Sequence, residues 1–384
     1  MPSTYWHMVF FWTMSCCCGI LFIGYAWLLL RYRNAFSRAL RQAPGMPLTH
    51  YPSVTVIVPA RNEAAFIGQC LQSLLDQQYP GKWEMLVVDD HSTDATAAIA
   101  SAKGVKVISL ADHPLPNQIA FKKHAIHTAI GQASGEIILT TDADCRLPDH
   151  WIKLLTEKMI QSDSVMTIGP VYMHNEGSFL SRFQTMDFAV LQGIGLASVT
   201  AGIHGLSSGA SLAYRKDAYL AVNGFEGIND IASGDDMLLM EKMQRMFPGK
   251  ISCTLDPRSI VTTRTEPSWR SFFQQRIRWA SKAPRYESAA LKYTLIWVYL
   301  FNLSLACLLV AGFVDPVYLS LFVGGLILKT LAELPFVVPI FRFFSCTRLL
   351  PSFIRAQPLH VFYTVISGTF GAWGKVTWKE RQVR

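Results

Sequence analysis

The pattern of hydrophobic and polar positions places apolar blocks near both ends of the chain and an alternating region between them. Met8 to Leu30 is a run of 23 residues without a formal charge, and that length can cross a bilayer. Arg31 and Arg33 follow at once, and basic flanks favour the cytoplasmic side. A signal peptide fits poorly, because the run is long and lacks a basic start. The sequence therefore predicts an anchor over residues 1–33, with the next region in the cytoplasm.

The second apolar block covers residues 291–384 and predicts two or three further membrane segments. Leu295 to Val314 and Val317 to Ile340 are the clear candidates, and Leu359 to Trp373 is a weaker, glycine-containing third. If all three segments cross, the basic C-terminal tail ends outside, against the charge rule. A re-entrant third segment is the alternative, and the sequence leaves the two open.

Two charged residues interrupt the second of these segments. Lys329 and Glu333 are four positions apart, so they lie on one helix face and can pair. Charges within a membrane segment are candidates for function. A structural ion pair between spans is the interpretation that we favour.

The region at residues 50–285 alternates between strand-like and helix-like runs. The strand-like runs are Val54 to Val58 (ended by Pro59), Met85 to Val88, Val105 to Ile108 and Ile137 to Thr141. The helix-like runs are Ala64 to Gln77, a run that starts near Asp94, and Ala120 to Ile130. Such alternation predicts an α/β fold with a parallel sheet. Ligands of open α/β sheets bind beyond the carboxyl ends of the strands.

Polar clusters follow three of these strands, at the edge where a ligand is expected. They are Arg61-Asn62-Glu63, Asp89-Asp90 and Asp142-Ala143-Asp144. Helix capping and turn chemistry explain some acids at such positions, but adjacent acids repel unless a cation or a donor meets them. Carboxylates at i and i+2 suit hard cations such as Mg²⁺ and Mn²⁺. The third cluster is therefore a candidate metal site.

Composition narrows the classes of protein that fit. Hydrophobic residues make up 51% of the chain and charged residues 16%, which is too apolar for an ordinary soluble enzyme. Much of the net charge of +8 lies beside the predicted spans, so anionic lipid headgroups explain it better than nucleic acid. The eight cysteines show no CxxC pair and fit reduced, buried thiols.

Five motifs, in their order along the chain, resemble those of the membrane-bound family 2 glycosyltransferases. The motifs are Val58 to Glu63, Val87 to Asp94, Thr141 to Asp144, Gly234-Asp235-Asp236 and Gln275 to Trp279, the last of QxxRW form. The resemblance extends from Val54 to Trp279. It implies a GT-A fold, a mixed sheet flanked by helices, that binds a nucleotide sugar with a divalent metal.

The resemblance also implies roles for residues on the donor side. Asp144 would bind the metal, with Asp142 toward the ribose and also near the metal. Asp89 and Asp90 resemble the acids that contact the uracil and order the nucleotide, and the resemblance does not separate which of the two makes the contact. Lys122 resembles a basic residue near the nucleotide, although an exposed helix lysine is an equal alternative. The implied nucleotide-sugar-binding residues are Pro59, Glu63, Asp89, Asp90, Lys122, Asp142 and Arg278.

On the acceptor side, the resemblance makes Asp236 the general base that deprotonates the acceptor hydroxyl. Asp235 is the alternative base, and capping of the following helix is a plausible other role for it. Arg278 would face the diphosphate, since its guanidinium binds phosphate in bidentate fashion. The pattern of aromatic residues and arginines around it also predicts an amphipathic interfacial helix. The implied acceptor-site residues are Gln275, Trp279 and Gly209, although an ordinary turn into the strand that follows explains Gly209 at least as well.

Together these features predict an inverting glycosyltransferase in the bacterial inner membrane. Its catalytic domain faces the cytoplasm, its donor is a UDP-sugar, and its acceptor is a lipid or lipid-linked molecule. A processive polysaccharide synthase is the nearest alternative, but such enzymes carry more spans. A non-catalytic scaffold or transporter is the alternative of another class, and it would have no use for Asp144, Asp236 and Arg278 in one ordered set.

Overall fold

The computed structural model describes residues 2–41, 47–114, 120–231, 234–373, 377–378 and 381–382. The chain divides into two compact units. The helical unit comprises Met1–Ser37 and Glu266–Val376, and the sheet unit comprises Arg38–Thr265 and Thr377–Arg384. The interval 50–285 predicted for the soluble domain crosses this boundary, so the helix of the QxxRW motif belongs to the helical unit.

The strands of the sheet unit form one large sheet and two small ones. The strands are β1 Val54–Ala60, β2 Trp83–Asp89, β3 Lys106–Ser109, β4 Ile137–Thr140, β5 Met166–Ile168, β6 Val171–Met173, β7 Leu212–Arg215, β8 Ile251–Cys253, β9 Val261–Thr263, β10 Thr377–Trp378 and β11 Arg381–Gln382. The seven-stranded sheet has the order β3-β2-β1-β4-β7-β5-β8. Its first four strands are parallel, as predicted, and β7 runs antiparallel to β4 and β5.

Helices cover the large sheet in the sheet unit and make up most of the helical unit. The helices are α1 Pro2–Leu40, α2 Ile67–Leu75, α3 Thr96–Ala102, α4 Phe121–Gln132, α5 Trp151–Gln161, α6 Phe179–Thr200, α7 Lys216–Ala221, α8 Met237–Met246, α9 Trp269–Ala280, α10 Ala289–Ala311, α11 Pro316–Phe343, α12 Leu350–Arg355 and α13 Gln357–Trp373. The predicted mixed sheet flanked by helices is therefore confirmed.

β1 continues through Pro59 to Ala60, which is two residues beyond the end that the sequence suggested. The Ile57 carbonyl accepts from the Thr141 amide on the β4 side, and the Ala60 carbonyl accepts from the Asp90 amide on the β2 side. Because successive residues face opposite neighbours, Pro59 faces the β4 side. β4 pairs only as far as Ile57, so the missing N–H of Pro59 interrupts no ladder bond.

Three helices of the described chain are long and apolar enough to cross a membrane: Phe11–Leu40 within α1, then α10 and α11. α1 continues past the basic residues after the apolar run because Tyr32 and Phe36 are buried against Phe336 of α11. α13 has 17 residues, a length of ~25 Å at 1.5 Å per residue. That is shorter than the ~30 Å hydrocarbon core, so a crossing and a re-entrant segment both stay open.

Candidate active site

The carboxyl ends of β1, β2 and β4 meet at one edge of the sheet, where they bring the predicted polar clusters together. Ala60 pairs with Asp89 at the ends of β1 and β2, and Asp142 lies two residues beyond the end of β4. The loops after β1 and β2 are bound to each other, since the Thr93 amide donates to Asn62 Oδ1 over 2.8 Å. These contacts give the edge a fixed backbone.

Pro59 and Glu63 contribute backbone to this edge. Pro59 lies inside β1. Glu63 precedes α2, where its carbonyl accepts from the Phe66 and Ile67 amides, and its own amide donates to Thr96 Oγ1 over 2.8 Å. Glu63 therefore contacts the start of α2 through its main chain.

Asp89 and Asp90 are both buried, and their carboxylates have different partners. Asp90 Oδ1 lies 3.0 Å from the Nδ1 atom of His91. Asp89 Oδ2 accepts from the Ser92 amide over 3.4 Å, while Asp89 Oδ1 has no hydrogen-bond partner among the described residues. A buried carboxylate oxygen of this kind favours a donor from outside the chain.

Lys122 links the metal motif to the acids near α8. Its Nζ atom lies 2.6 Å from Asp142 Oδ1 and 3.1 Å from Asp235 Oδ2. Burial lowers the pKa of Lys122, but attraction to Asp142, Asp235 and Asp236 raises it above its usual value overall. The side chain is only 22% exposed, so the alternative of a solvated helix lysine is excluded.

Asp144 is held in a more enclosed position than Asp142. Its Oδ2 atom accepts from the hydroxyl of Thr263, on β9, over 3.2 Å. Burial raises the pKa of Asp144 to about 6, and the negative charges of Asp142 and Glu63 act in the same direction. A nearby cation stabilises the charged form of a carboxylate that is buried beside other negative charges.

The donor atoms around Asp144 fit a hard divalent cation. Asp142, Asp144 and Cys145 offer possible ligand atoms within 4.8 Å of one another. Burial raises the pKa of the Cys145 thiol well above its usual value, and the charges of Asp144 and Asp142 add to this. A neutral thiol is a poor ligand for Mg²⁺ or Mn²⁺, whereas carboxylate oxygens suit both. The two aspartates are therefore the residues that could hold such an ion.

Asp236, and not Asp235 as the sequence suggested, is the N-cap residue of α8. Its Oδ1 atom accepts from the Met237 amide over 2.7 Å, and its Oδ2 atom accepts from the Gly209 amide over 3.1 Å. Helix capping, which the sequence suggested for Asp235, thus falls on its neighbour, while Asp235 pairs with Lys122. Each carboxylate oxygen retains acceptor capacity after one hydrogen bond, so capping leaves Asp236 able to take a proton.

Gly209 lies beside the ion pair of Lys122 and Asp235. A Cβ atom at this position would lie 2.9 Å from Asp235 Oδ2 and 3.0 Å from Lys122 Nζ. The Gly209 carbonyl also accepts from the Thr140 hydroxyl at the end of β4, over 3.2 Å. The glycine therefore allows the turn to approach the ion pair closely.

The remaining predicted residues lie on α9, in the helical unit. Gln275 donates through Nε2 to Glu266 Oε1 over 2.9 Å and accepts from Arg276 Nη1 over 2.9 Å. The Arg276 guanidinium lies 4.3 Å from the centre of the Trp279 ring, and the Arg278 carbonyl accepts from the Ser281 hydroxyl. Within their own unit, Gln275 and Trp279 are thus held in defined orientations.

Sequence reasoning missed Thr263. It lies 119 positions from Asp144 along the chain, and it reaches Asp144 because β9 approaches the metal motif through a bridge between Arg146 and Thr262. A threonine in a short strand carries no signal of ligand contact. Lys122 was identified through its resemblance to a basic residue near the nucleotide in the family.

Comparison with known proteins agrees with this geometry. Residues 55–220 match the family described as glycosyl transferase family 2. An N-acetylglucosaminyltransferase of Rhizobium meliloti (strain 1021) is 27% identical over 244 residues, which are 60% of this chain and 55% of that protein. An N-acetylglucosaminyltransferase of Rhizobium leguminosarum bv. viciae is 32% identical over 139 residues, 36% of this chain and 32% of that protein. The chain thus spans about half or less of these curated relatives.

A solved structure shares the fold over almost the whole chain. It is a mannosyltransferase from Pyrobaculum calidifontis in complex with GDP-mannose and Mn²⁺, at a TM-score of 0.57 and 21% identity, and the match covers 94% of this chain and 99% of that one. The family match ends before Asp235, so it includes the metal motif and Lys122 but leaves the α8 and α9 residues outside. Residues 55–220 thus match glycosyl transferase family 2, and the chain carries the GT-A fold that it shares with this solved structure.

Proposed function

We propose that this protein transfers a sugar from a nucleotide sugar to a lipid or lipid-linked acceptor, with inversion at the anomeric carbon. The observation that carries the proposal is the acid cluster at the sheet edge of a family 2 domain. There Asp142 and Asp144 offer carboxylates side by side, and Lys122 connects Asp142 to Asp235. The cluster combines a site for a cation, a basic group and candidate bases.

On the donor side, Asp144 would hold a divalent cation together with Asp142. A bound cation would supply positive charge to the diphosphate as it leaves. Lys122 adds a fixed ammonium beside the same carboxylates. Asp89 and Asp90, which are buried at the end of β2, would orient the base of the nucleotide, and Arg278 would bind the diphosphate.

On the acceptor side, Asp236 would take the proton of the attacking hydroxyl. The hydroxyl oxygen forms a bond to the anomeric carbon while the bond from that carbon to the diphosphate breaks, and a single displacement of this kind inverts the configuration. Two backbone amides orient the Asp236 carboxylate, which suits a base that must first reach its proton. Asp235 is the alternative, although one of its oxygens is engaged with Lys122.

The helical unit supports a lipid acceptor, and with it the proposed location in the bacterial inner membrane. Within the described residues, three helices are long and apolar enough to cross a membrane, and the basic residues Arg31 and Arg33 favour a cytoplasmic sheet unit. α9 carries exposed Trp269 and Arg270 shortly before α10 begins, a composition typical of interfacial helices. Trp279, Gln275 and Gly209 are the proposed acceptor residues.

The proposal is tested with the purified full-length chain and a panel of UDP- and GDP-sugars. GDP-sugars are included because the structurally similar mannosyltransferase binds GDP-mannose. Nucleotide release and products in extracted lipids are measured with Mn²⁺ or Mg²⁺. Asp144→Ala should lower turnover by ~10³-fold, since metal-ion catalysis contributes several kcal/mol. Asp112→Ala, at an exposed acid, is the control and should keep wild-type turnover.

Negligible release by the wild type across the whole panel would contradict an enzymatic function. A long polymer as product would favour the processive alternative over single transfer. Comparing Asp236→Asn with Asp235→Asn then assigns the base, because loss of the base lowers kcat while the KM for the donor stays unchanged.

A further inference from the structure

Two adjacent lysines occupy the first turn of α4, where cations are unfavourable. The positive end of the helix macrodipole favours acids at this place, yet the first turn of α4 carries no acid and includes Lys122 and Lys123. Lys123 is also 1% exposed, and a buried ammonium is costly unless it is well bound. Both lysines therefore need strong partners outside the helix.

The partners of the two lysines differ. Neighbouring helix positions point in directions about 100° apart, and Lys122 meets the carboxylates of Asp142 and Asp235. The Nζ atom of Lys123 donates to the carbonyl of Ile228 over 2.6 Å and to that of Ile231 over 2.8 Å. Lys123 thus binds the main chain three residues before Gly234, at the approach to the acids of α8.

The segment from Asn223 to Ile231 has little regular structure of its own. Asn223, Gly224 and Gly227 have positive φ angles. Carbonyls of such a segment that are shielded from water need donors from elsewhere. Lys242 of α8 supplies them at the near end, with bonds of 2.7 Å to the carbonyls of Gly224 and Glu226. Two lysines therefore hold the segment, one at each end.

We propose that Lys123 is a positioning residue that fixes the segment 228–231, and through it Asp235 and Asp236, against Lys122. The first turn of α4 would then position both the donor side and the acceptor side of the site. Lys122 contacts the metal motif, and Lys123 holds the chain that leads to the candidate bases. Lys242 makes bonds of the same kind to carbonyls that lie farther from those acids along the chain, so it is the matched control. The kinetic consequence rests on the proposed function, whereas the structural consequence does not.

Hydrogen exchange on the full-length protein tests the structural consequence. Lys123→Met keeps the aliphatic stem but removes the donor, so exchange of the 227–231 amides should accelerate by about tenfold, as for a locally opened segment. Lys242→Met should affect 223–226 more than 227–231. Unchanged exchange at 227–231, or acceleration that extends equally to β1, would overturn the proposal. If Lys123→Met does not fold, Lys123→Gln, which can still serve one carbonyl, is judged by the same comparison.

Steady-state kinetics separates positioning from a general structural role. Lys123→Met should lower kcat for transfer by about tenfold while the donor KM stays within about twofold, since the metal motif is untouched. A rise in donor KM with unchanged kcat would overturn the assignment to the acceptor side. If the wild type transfers no sugar from any donor, the proposed function fails, and the exchange comparison still decides the role of Lys123.

Discussion

Each unit contains a cluster of buried or half-buried charged side chains, and the two clusters differ in charge balance. In the helical unit, the Lys329 ammonium donates to Glu333 Oε1 over 2.5 Å and to Gln357 Oε1 over 2.6 Å. Gln357 donates in turn to Glu333 Oε2 over 2.6 Å, and the Tyr25 hydroxyl donates to Glu333 Oε1. One cation meets one anion, and neutral groups from α1 and α13 complete the hydrogen bonds.

The cluster of the sheet unit has an excess of negative charge. Asp142 and Asp235 share the single ammonium of Lys122, and Asp144 lies beside Asp142 with a raised pKa. A buried polar network that is neutral and fully bonded stabilises one arrangement of helices. A cluster of like charges costs free energy until a cation binds. The comparison favours a structural role for the first cluster and supports the binding role that we propose for the second.

The largest expected effect concerns the balanced cluster. Lys329→Met should cost about 3–5 kcal/mol, because it leaves the Glu333 carboxylate buried without its cation. The double variant Lys329→Met, Glu333→Leu should cost less than either single change, since it removes both charges. The free energy of unfolding in detergent measures this, and Leu328→Met, at an exposed position on the same helix, is the control. Additive losses would show that the pair is not coupled.

In the cluster of the sheet unit, removal of a charge should stabilise the protein, whereas in the helical unit it should destabilise it. The pKa of Asp144 is raised to about 6 in the folded protein, above the ordinary value of ~3.9. The folded state therefore binds more protons, and the contribution of this group to stability falls as the pH rises from about 4 to 6. Asp144→Asn should stabilise the metal-free protein by ~1–3 kcal/mol at pH 7.5, with little difference at pH 4.

Thermal unfolding of both proteins in EDTA measures this difference. Added Mn²⁺ should then stabilise the wild type more than the variant, because only the wild type offers the carboxylate. A variant that is less stable than the wild type at pH 7.5 without metal would show that Asp144 is held mainly by its bond to Thr263. In that case, the contrast between the two clusters would fail.

The sequence was sufficient for those features of the sheet unit that depend on local pattern. β1 to β4 were predicted to within two residues at each end, because runs of β-branched and other apolar residues determine them. The gathering of Asp89 and Asp142 at one edge followed from the parallel order of those strands. The pairing of Lys329 with Glu333 followed from their spacing along one helix.

Contacts between distant parts of the chain could not be predicted from the sequence pattern. Thr263 reaches Asp144, and Lys123 reaches the carbonyl of Ile231 across 108 positions, and neither residue type signals such a contact. The choice of Asp236 as the helix cap was missed because either of two adjacent acids can serve, and the Gly209 amide decides between them. Gln357 joins the helical cluster only through the tertiary packing of α13.

The smallest expected effect comes from a methyl group added beside the ion pair of the sheet unit. Gly209→Ala would press against the ends of two flexible side chains, Asp235 and Lys122, so the fold should persist while their spacing changes. We expect turnover to fall by about tenfold, or 1.4 kcal/mol, with a shift in Tm of no more than about 2 °C. Gly131→Ala is the control, since it lies in the same helix as Lys122 with open space around it and should stabilise by about 0.5–1 kcal/mol. Wild-type turnover in Gly209→Ala would mean that the excess negative charge, and not the exact spacing of Lys122 and Asp235, is what the site requires.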